Sequence, residues 1–266
     1  MNIPKIIHYC WFGGKELPES AKRCIDSWKK FFPDYEIKEW NESNFDINYC
    51  AYAKEAYEAK KWAFVSDVAR FKILYENGGL YFDTDVEVIK PFDDIISNGA
   101  FMGVESDKDC TVAPGLGLGV EVGNQFYKEM LDLYCKRHFE LKDGNFDTTT
   151  IVHYTTSKMK SYGLKKSMDV QKVFDINIYP QRFFNPKGGV DGKLVITNDT
   201  YSIHHYDASW FSEEENYAKV LIEKYRKFMP KKLAGHVGCF FAECKYRGFR
   251  GAVKNIFIKI KRKKKK

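Results

Sequence analysis

One short stretch of this chain sets carboxylates at a spacing that could do chemistry: Tyr81-Phe82-Asp83-Thr84-Asp85-Val86-Glu87-Val88. Alternate residues of an extended strand share a face. Tyr81, Asp83, Asp85 and Glu87 are therefore expected on one side, with Phe82, Thr84, Val86 and Val88 on the other. Carboxylates so placed repel one another unless they splay into water or a cation lies between them. Mg²⁺ or Mn²⁺, hard ions that take carboxylate oxygens together with substrate phosphates, would answer that repulsion. An isolated Asp-x-Asp is also what a solvated edge strand presents, and this plainer reading stands until other parts of the chain oppose it. His204 and His205 end a later extended run, beside Asp207, Ser209 and Trp210. Carboxylate oxygens plus one imidazole suit Mn²⁺. Strand alternation lets only one of the two histidines face such an ion, and the residues alone leave open which. Asp67 and Arg70 stand at i and i+3 in a helical run, equally readable as an internal ion pair or as a ligand-facing pair.

The elements that must position these groups follow from periodicity. Residues 3–10 are apolar and β-rich and run into Trp11-Phe12-Gly13-Gly14, where glycines permit a tight turn and close approach of a ligand. A helix is predicted over 18–32 with Ala21, Cys24, Ile25 and Trp28 on one face, then a strand over 35–40. This opening predicts an α/β, Rossmann-like half with ligands at the carboxyl ends of its strands. No Gly-x-Gly-x-x-Gly follows the first strand, which disfavours an ordinary NAD site. Helices are predicted over 49–59 and 61–76, the second ending at Gly78-Gly79 just before the carboxylates. Beyond them come a strand over 100–105 and a segment, 112–122, whose Gly115, Gly117 and Gly119 could line a pocket or mark tight packing. Helices over 124–138 and 148–162 follow, then strands over 174–184, 194–197 and 201–206, and a helix over 213–228.

Composition adds bounds. The chain has 266 residues, of which 16% are aromatic, a share that suits a large core or a cleft for bases and sugars. Its net charge of +7 is unevenly spread: residues 245–266 hold eleven Lys and Arg and no acidic residue, so the remainder is mildly acidic. Such a tail, which also carries Phe249, Val253, Ile256 and Phe257, fits an anionic membrane surface; nucleic acid is not expected. Seven scattered cysteines, without a Cys-x-x-Cys pair, predict reduced thiols. No signal peptide and no long apolar run is read in the sequence, so a cytoplasmic protein, peripheral on the inner face of the membrane, is expected.

Four separated stretches share a resemblance. Ile3-Pro-Lys-Ile-Ile-His-Tyr-Cys-Trp-Phe-Gly-Gly14, Ser66-Asp67-Val68-Ala69-Arg70, Gly78-Gly-Leu-Tyr-Phe-Asp-Thr-Asp85 and Ser202-Ile-His-His-Tyr-Asp-Ala-Ser-Trp210 occur in that order. Together they resemble the Asp-x-Asp sugar-binding glycosyltransferases of family 32, of the capsular polysaccharide and initiating mannosyltransferase type. The glucosylating domains of large clostridial toxins are more distantly similar.

The resemblance implies a GT-A fold over residues 1–230, with 231–266 as a basic amphipathic tail. It implies a retaining, metal-dependent hexosyltransferase that moves a sugar from a nucleotide-sugar, UDP-sugar before GDP-mannose, to a glycan or lipid-linked saccharide. Trp11 would flank the base. Ser66, Asp67 and Arg70 would line the donor site, with Asp67 and Arg70 on ribose or sugar hydroxyls, and Tyr81 would shape the same pocket. Asp83 and Asp85 would engage Mn²⁺ or Mg²⁺ on the diphosphate. In the toxin-like relatives a metal ligand lies five residues before the closing Trp, which selects His205; Ser209 and Trp210 would close over the diphosphate. Glu87 is given neither role. Val112-Ala113-Pro114 and Asp147-Thr148-Thr149-Thr150 depart from the family pattern where a sugar would sit. Two rival readings are a haloacid-dehalogenase-like phosphohydrolase, whose Asp-x-Asp normally follows an early apolar strand rather than a helix and Gly-Gly, and a catalytically silent sugar-nucleotide-binding module.

Overall fold

The first strand, Ile6–Cys10 (β1), buries four of its five residues, as befits the middle of a sheet. In the computed structural model, which describes residues 2–187, 193–207 and 213–263, the next elements follow the predicted order. Glu19–Phe31 (α1) turns Ala21, Cys24, Ile25 and Trp28 inward, the stripe that a 3.6-residue period places on one face. Glu36–Trp40 (β2) runs parallel to β1. Ala51–Glu58 (α2) and Trp62–Asn77 (α3) then lead into Gly79–Tyr81 (β3), parallel to β1 on its other side.

After β3 the chain changes sheets. The single strand expected through residue 88 is two short ones: Val86–Val88 (β4) pairs with none of the first sheet. Between them Asp83, Thr84 and Asp85 form a turn, closed by the Val86 N–H on the Asp83 carbonyl at 3.0 Å. Asp93–Ser97 (α4), Phe101–Ser106 (β5), Thr111–Val112 (β6) and Leu118–Val120 (β7) come next. Gln125–Cys135 (α5) and Ile151–Ser161 (α6) are capped by the side chains of Asn124 and Thr150, which satisfy N–H groups that the first helical turn leaves orphaned.

The run predicted as one strand over 174–184 is instead a hairpin and a helical turn: Gln171–Val173 (β8), Ile176–Tyr179 (β9) and Gln181–Phe184 (α7). Phe174 and Asp175 both have positive φ, 48° and 61°, the demand of a two-residue hairpin turn that glycine or asparagine usually meets. Residues 194–197 form no strand. Ser202–His204 (β10) pairs antiparallel with β4, His204 opposite Val86.

The large sheet is ordered β2-β1-β3-β7-β5-β9-β8, with β6 on β5. Its first three strands are parallel, while β7 runs antiparallel to both β3 and β5. The class is thus mixed α/β, as the alternation of strands and helices predicts. Separate apolar clusters fill it: Tyr52, Phe71, Tyr127 and Tyr134 anchor one, and Trp28, Phe82, Phe92, Phe101 and Phe184 the other.

The chain divides into two compact units, residues 1–207 and 208–266. The second holds Glu213–Arg226 (α8) and Lys231–Lys263 (α9), the latter broken at Gly248 (φ 72°, ψ 161°). The helix at 213–226, expected inside a domain ending at residue 230, is part of this second unit.

Candidate metal and donor-binding site

Because β1, β2 and β3 are parallel and in register, Cys10, Trp40 and Tyr81 end at one edge of the sheet. The loops that leave this edge are where an open α/β sheet places ligands. Trp11 leaves first: its backbone N–H bonds the Trp40 carbonyl at 2.8 Å and its indole N–H the Lys15 carbonyl at 2.6 Å. The half-buried indole is thereby fixed at the mouth of the edge. Gly13 follows with φ 96° and lies so close to the Trp62 ring that a Cβ would sit 2.7 Å from its nitrogen; its N–H bonds Glu42 at 2.6 Å.

Asp83 leaves the same edge two residues beyond β3. Its carboxylate meets the Arg70 guanidinium at 3.2 Å and accepts the Tyr81 hydroxyl at 3.2 Å. Arg70 is buried, with Nε on the Ser66 carbonyl at 3.1 Å, Nη2 on Asp67 at 3.3 Å, and its plane 4.9 Å over the Tyr81 ring. Burial works against the Arg70 charge, but Asp83 and Asp67 outweigh it and raise the pKa. Asp67 is pushed up to about 7 by burial, against the pull of Arg70, and its carboxylate takes a hydrogen bond from the Ile151 N–H at the start of α6. The i,i+3 pair is therefore an internal ion pair, and it also reaches Asp83: Arg70 is the post on which that carboxylate rests. Ser66 contributes its backbone carbonyl, while its hydroxyl turns to the Trp62 carbonyl.

Asp85 comes from the turn into the second sheet. One oxygen faces His204 Nε2 at 3.2 Å and the other accepts the Asp207 N–H at 3.0 Å. Burial alone would raise the Asp85 pKa, yet His204 and these hydrogen bonds hold it below the usual carboxylate value. In return, burial presses the His204 pKa down and Asp85 lifts it above normal. A cation at these atoms competes with that proton, so its affinity falls as pH falls.

Asp83, Asp85 and His204 each offer a ligand atom, all within 4.8 Å of one another. His205, selected by counting back from Trp210, faces the other way: its Nε2 pairs with Glu87 at 2.8 Å and its Nδ1 lies 3.0 Å from Lys187. Register alone would set His205 against Asp85, whose carbonyl takes the His205 N–H at 2.9 Å, but Asp85 lies in the turn before β4 and its side chain leaves the strand alternation to reach His204. Ser209 and Trp210 lie outside the described residues.

The group fits a hard divalent ion on two counts. Two carboxylates and one imidazole are the donor set Mn²⁺ or Mg²⁺-type chemistry tolerates. Gly115 also keeps a space open beside them, since a Cβ there would stand 2.1 Å from Asp83 Oδ2. Gly119, by contrast, is a packing glycine, with a Cβ only 2.1 Å from the Phe101 ring. Of the two expectations for the glycine-spaced segment, tight packing holds at Gly119. Sequence reasoning passed over Tyr206, whose ring stands edge-on to His204 at 4.1 Å and whose hydroxyl bonds Asn185 at 2.7 Å and Glu105 at 3.2 Å. Its place inside the His-His-Tyr-Asp run was the available signal.

Comparison with known proteins finds glycosyltransferases similar to this chain. Residues 18–102 match the family described as glycosyltransferase sugar-binding region containing DXD motif. The chain is 24% identical over 220 residues to an uncharacterised glycosyltransferase of Acanthamoeba polyphaga mimivirus, covering 78% of this chain and 84% of that protein. It is 29% identical over 112 residues to inositol phosphoceramide mannosyltransferase 1 of Schizosaccharomyces pombe, covering 38% of this chain and 34% of that one. Among solved structures it is similar to the PaToxG glycosyltransferase, at 20% identity and a TM-score of 0.43 over 60% of this chain and 69% of that one. Residues 18–102 are thus similar to the DXD-containing sugar-binding region of glycosyltransferases. Glycosyl transfer is the activity that region and these sequence relatives support.

Proposed function

We propose that the chain is a retaining, metal-dependent transferase of GT-A type that moves one sugar from a nucleotide-diphosphate sugar, UDP-sugar foremost, to a glycan or lipid-linked saccharide in surface polysaccharide synthesis. The observation that carries this is the convergence of Asp83, Asp85 and His204 within 4.8 Å at the carboxyl edge of the parallel strands. A Mn²⁺ or Mg²⁺ ion held there would act as Lewis acid and template for the charge that develops on a diphosphate leaving group.

The chain's own residues supply the rest. Arg70 and Tyr81 lock Asp83 from behind, so its open side is presented without reorganisation. Asp85 is locked by the Asp207 N–H. Trp11 offers a flat face to a base at the start of the same edge, and Asp67 acts through Arg70 in setting Asp83. The resemblance assigns Ser209 and Trp210 the role of closure over the donor, which would exclude the water that diverts transfer into hydrolysis. The basic stretch 245–266 brings the enzyme to an anionic membrane, on the side where a lipid-linked acceptor lies.

Direct measurement is by thermal shift against a panel of nucleotide-sugars with and without Mn²⁺, followed by a transfer assay with the stabilising donor. Stabilisation that needs both metal and diphosphate supports the reading. Donor binding indifferent to divalent ions, or transfer undiminished in Asp85→Ala, rejects it.

A further inference from the structure

The second unit is built inside out for water. Where α9 crosses α8 it presents Ala234, Gly238 and Ala242, all buried and spaced by four residues. The approach is close enough that a Cβ on Gly238 would lie 2.5 Å from the Ile222 side chain and 3.2 Å from the Ala218 carbonyl. The large apolar side chains point outward instead: Phe228 is 80% exposed, Leu233 50%, Phe241 48% and Phe249 68%. Phe241 and Phe249 belong to one run of neighbouring rings, with Tyr225 and Phe241 6.1 Å apart, Phe240 and Phe241 5.8 Å, and Phe240 and Phe249 6.1 Å.

A helix pair that folds against water buries its Phe and Leu and leaves small residues outside. Small residues at the crossing with large ones outward is the arrangement that a lipid neighbour favours. The charge agrees: residues 208–266 hold 17 Lys and Arg against 5 Asp and Glu, whereas residues 1–207 hold 26 against 31. Among the described residues no helix is long and apolar enough to cross a membrane. A basic helix pair with an outward aromatic face and no span is an interfacial device.

We propose that the helix pair of residues 213–263 lies in the surface of an anionic bilayer with Phe228, Leu233, Phe241 and Phe249 inserted among the acyl chains, the basic residues holding lipid phosphates. This deepens and rests on the membrane reading of residues 245–266, but adds a part that charge alone does not supply: an apolar, salt-resistant component lying largely before residue 245.

The test is co-sedimentation of the full chain with phosphatidylglycerol-containing and pure phosphatidylcholine vesicles at low and high salt. Wild type should bind the anionic vesicles and keep a fraction of that binding at high salt, where screening removes the electrostatic part. Phe228→Ser/Leu233→Ser/Phe241→Ser should lose the salt-resistant fraction by about tenfold or more while retaining low-salt binding and an unchanged circular dichroism spectrum. A chain cut after residue 244 should show the reverse pattern. If the triple variant binds like wild type at high salt, the insertion proposal fails while the basic-tail reading survives. If the cut chain binds anionic vesicles as well as wild type at low salt, the tail reading fails. If wild type binds no vesicles but forms a dimer that the triple variant abolishes, the face belongs to a second copy and the proposal is overturned.

Discussion

The two units of this chain use the same apolar residue types in opposite ways. In residues 1–207, Phe82, Phe92, Phe101 and Phe184 are all but fully buried, with ring centres 5.7 Å apart between Phe82 and Phe92, 6.0 Å between Phe92 and Phe101 and 5.5 Å between Phe92 and Phe184. In residues 208–266, Phe228, Phe241 and Phe249 stand outside and alanines and glycine fill the contact. The first pattern is set by water and the second is at odds with it. Hydrophobicity along the chain is therefore no guide to which neighbour a phenylalanine has; the partner across the contact is.

That contrast can be broken from the strongest expected effect downward. Asp83→Ala or Asp85→Ala should cut transfer by about 10²–10³-fold or more, with vesicle binding unaltered, since these carboxylates belong to the first unit alone. Phe101→Ala should cost about 3–5 kcal/mol in denaturant unfolding, whereas Phe241→Ala should stay within about 0.5 kcal/mol. Equal costs at the two positions would erase the distinction between the units.

A pH series sharpens the picture of the first unit's interior. His8 is buried, its Nε2 3.0 Å from the Gly78 carbonyl and its Nδ1 accepting the Trp40 indole N–H at 3.0 Å. Burial lowers its pKa from 6.5 to about 4. Below pH 6.5 the unfolded chain takes up this proton and the folded chain does not, so the neutral ring's contribution is whole above 6.5 and is lost as pH falls towards 4. The loss is about 3 kcal/mol at most, and His8→Gln should flatten unfolding free energy over that window relative to wild type. A smaller effect is expected at Gly115, where alanine must displace the Asp83 carboxylate. Transfer should drop by about 10–100-fold, with metal affinity measured by titration calorimetry falling alongside it and global stability little changed.

What could be read in advance divides along the same physical line. Elements set by local periodicity, such as α1 with its Ala21, Cys24, Ile25 and Trp28 stripe, came out where the sequence places them. Features set by pairing between distant segments did not. His204 rather than His205 faces Asp85 because Asp85 lies in the turn before β4, where its side chain departs from the alternation that the β10–β4 pairing would continue, and that pairing joins segments far apart in the chain. The turn at Phe174-Asp175 was invisible because neither residue ordinarily adopts positive φ; the hairpin imposes it. The small-residue crossing of α8 and α9 was hidden for the same reason, since Gly238 looks like a helix weakener until Ile222 is placed against it.

The sheet change after β3 has a mechanical consequence. Asp83 hangs from the large sheet, while Asp85 and His204 belong to the small one, so the two halves of the cluster ride on different frames joined at this point by a four-residue turn. A cation gripping both sides would lace the frames together like a stitch across a seam. Its first effect on the free protein would be felt as stiffness: slower amide exchange in Val86–Val88 and Ser202–His204, before any sugar has arrived.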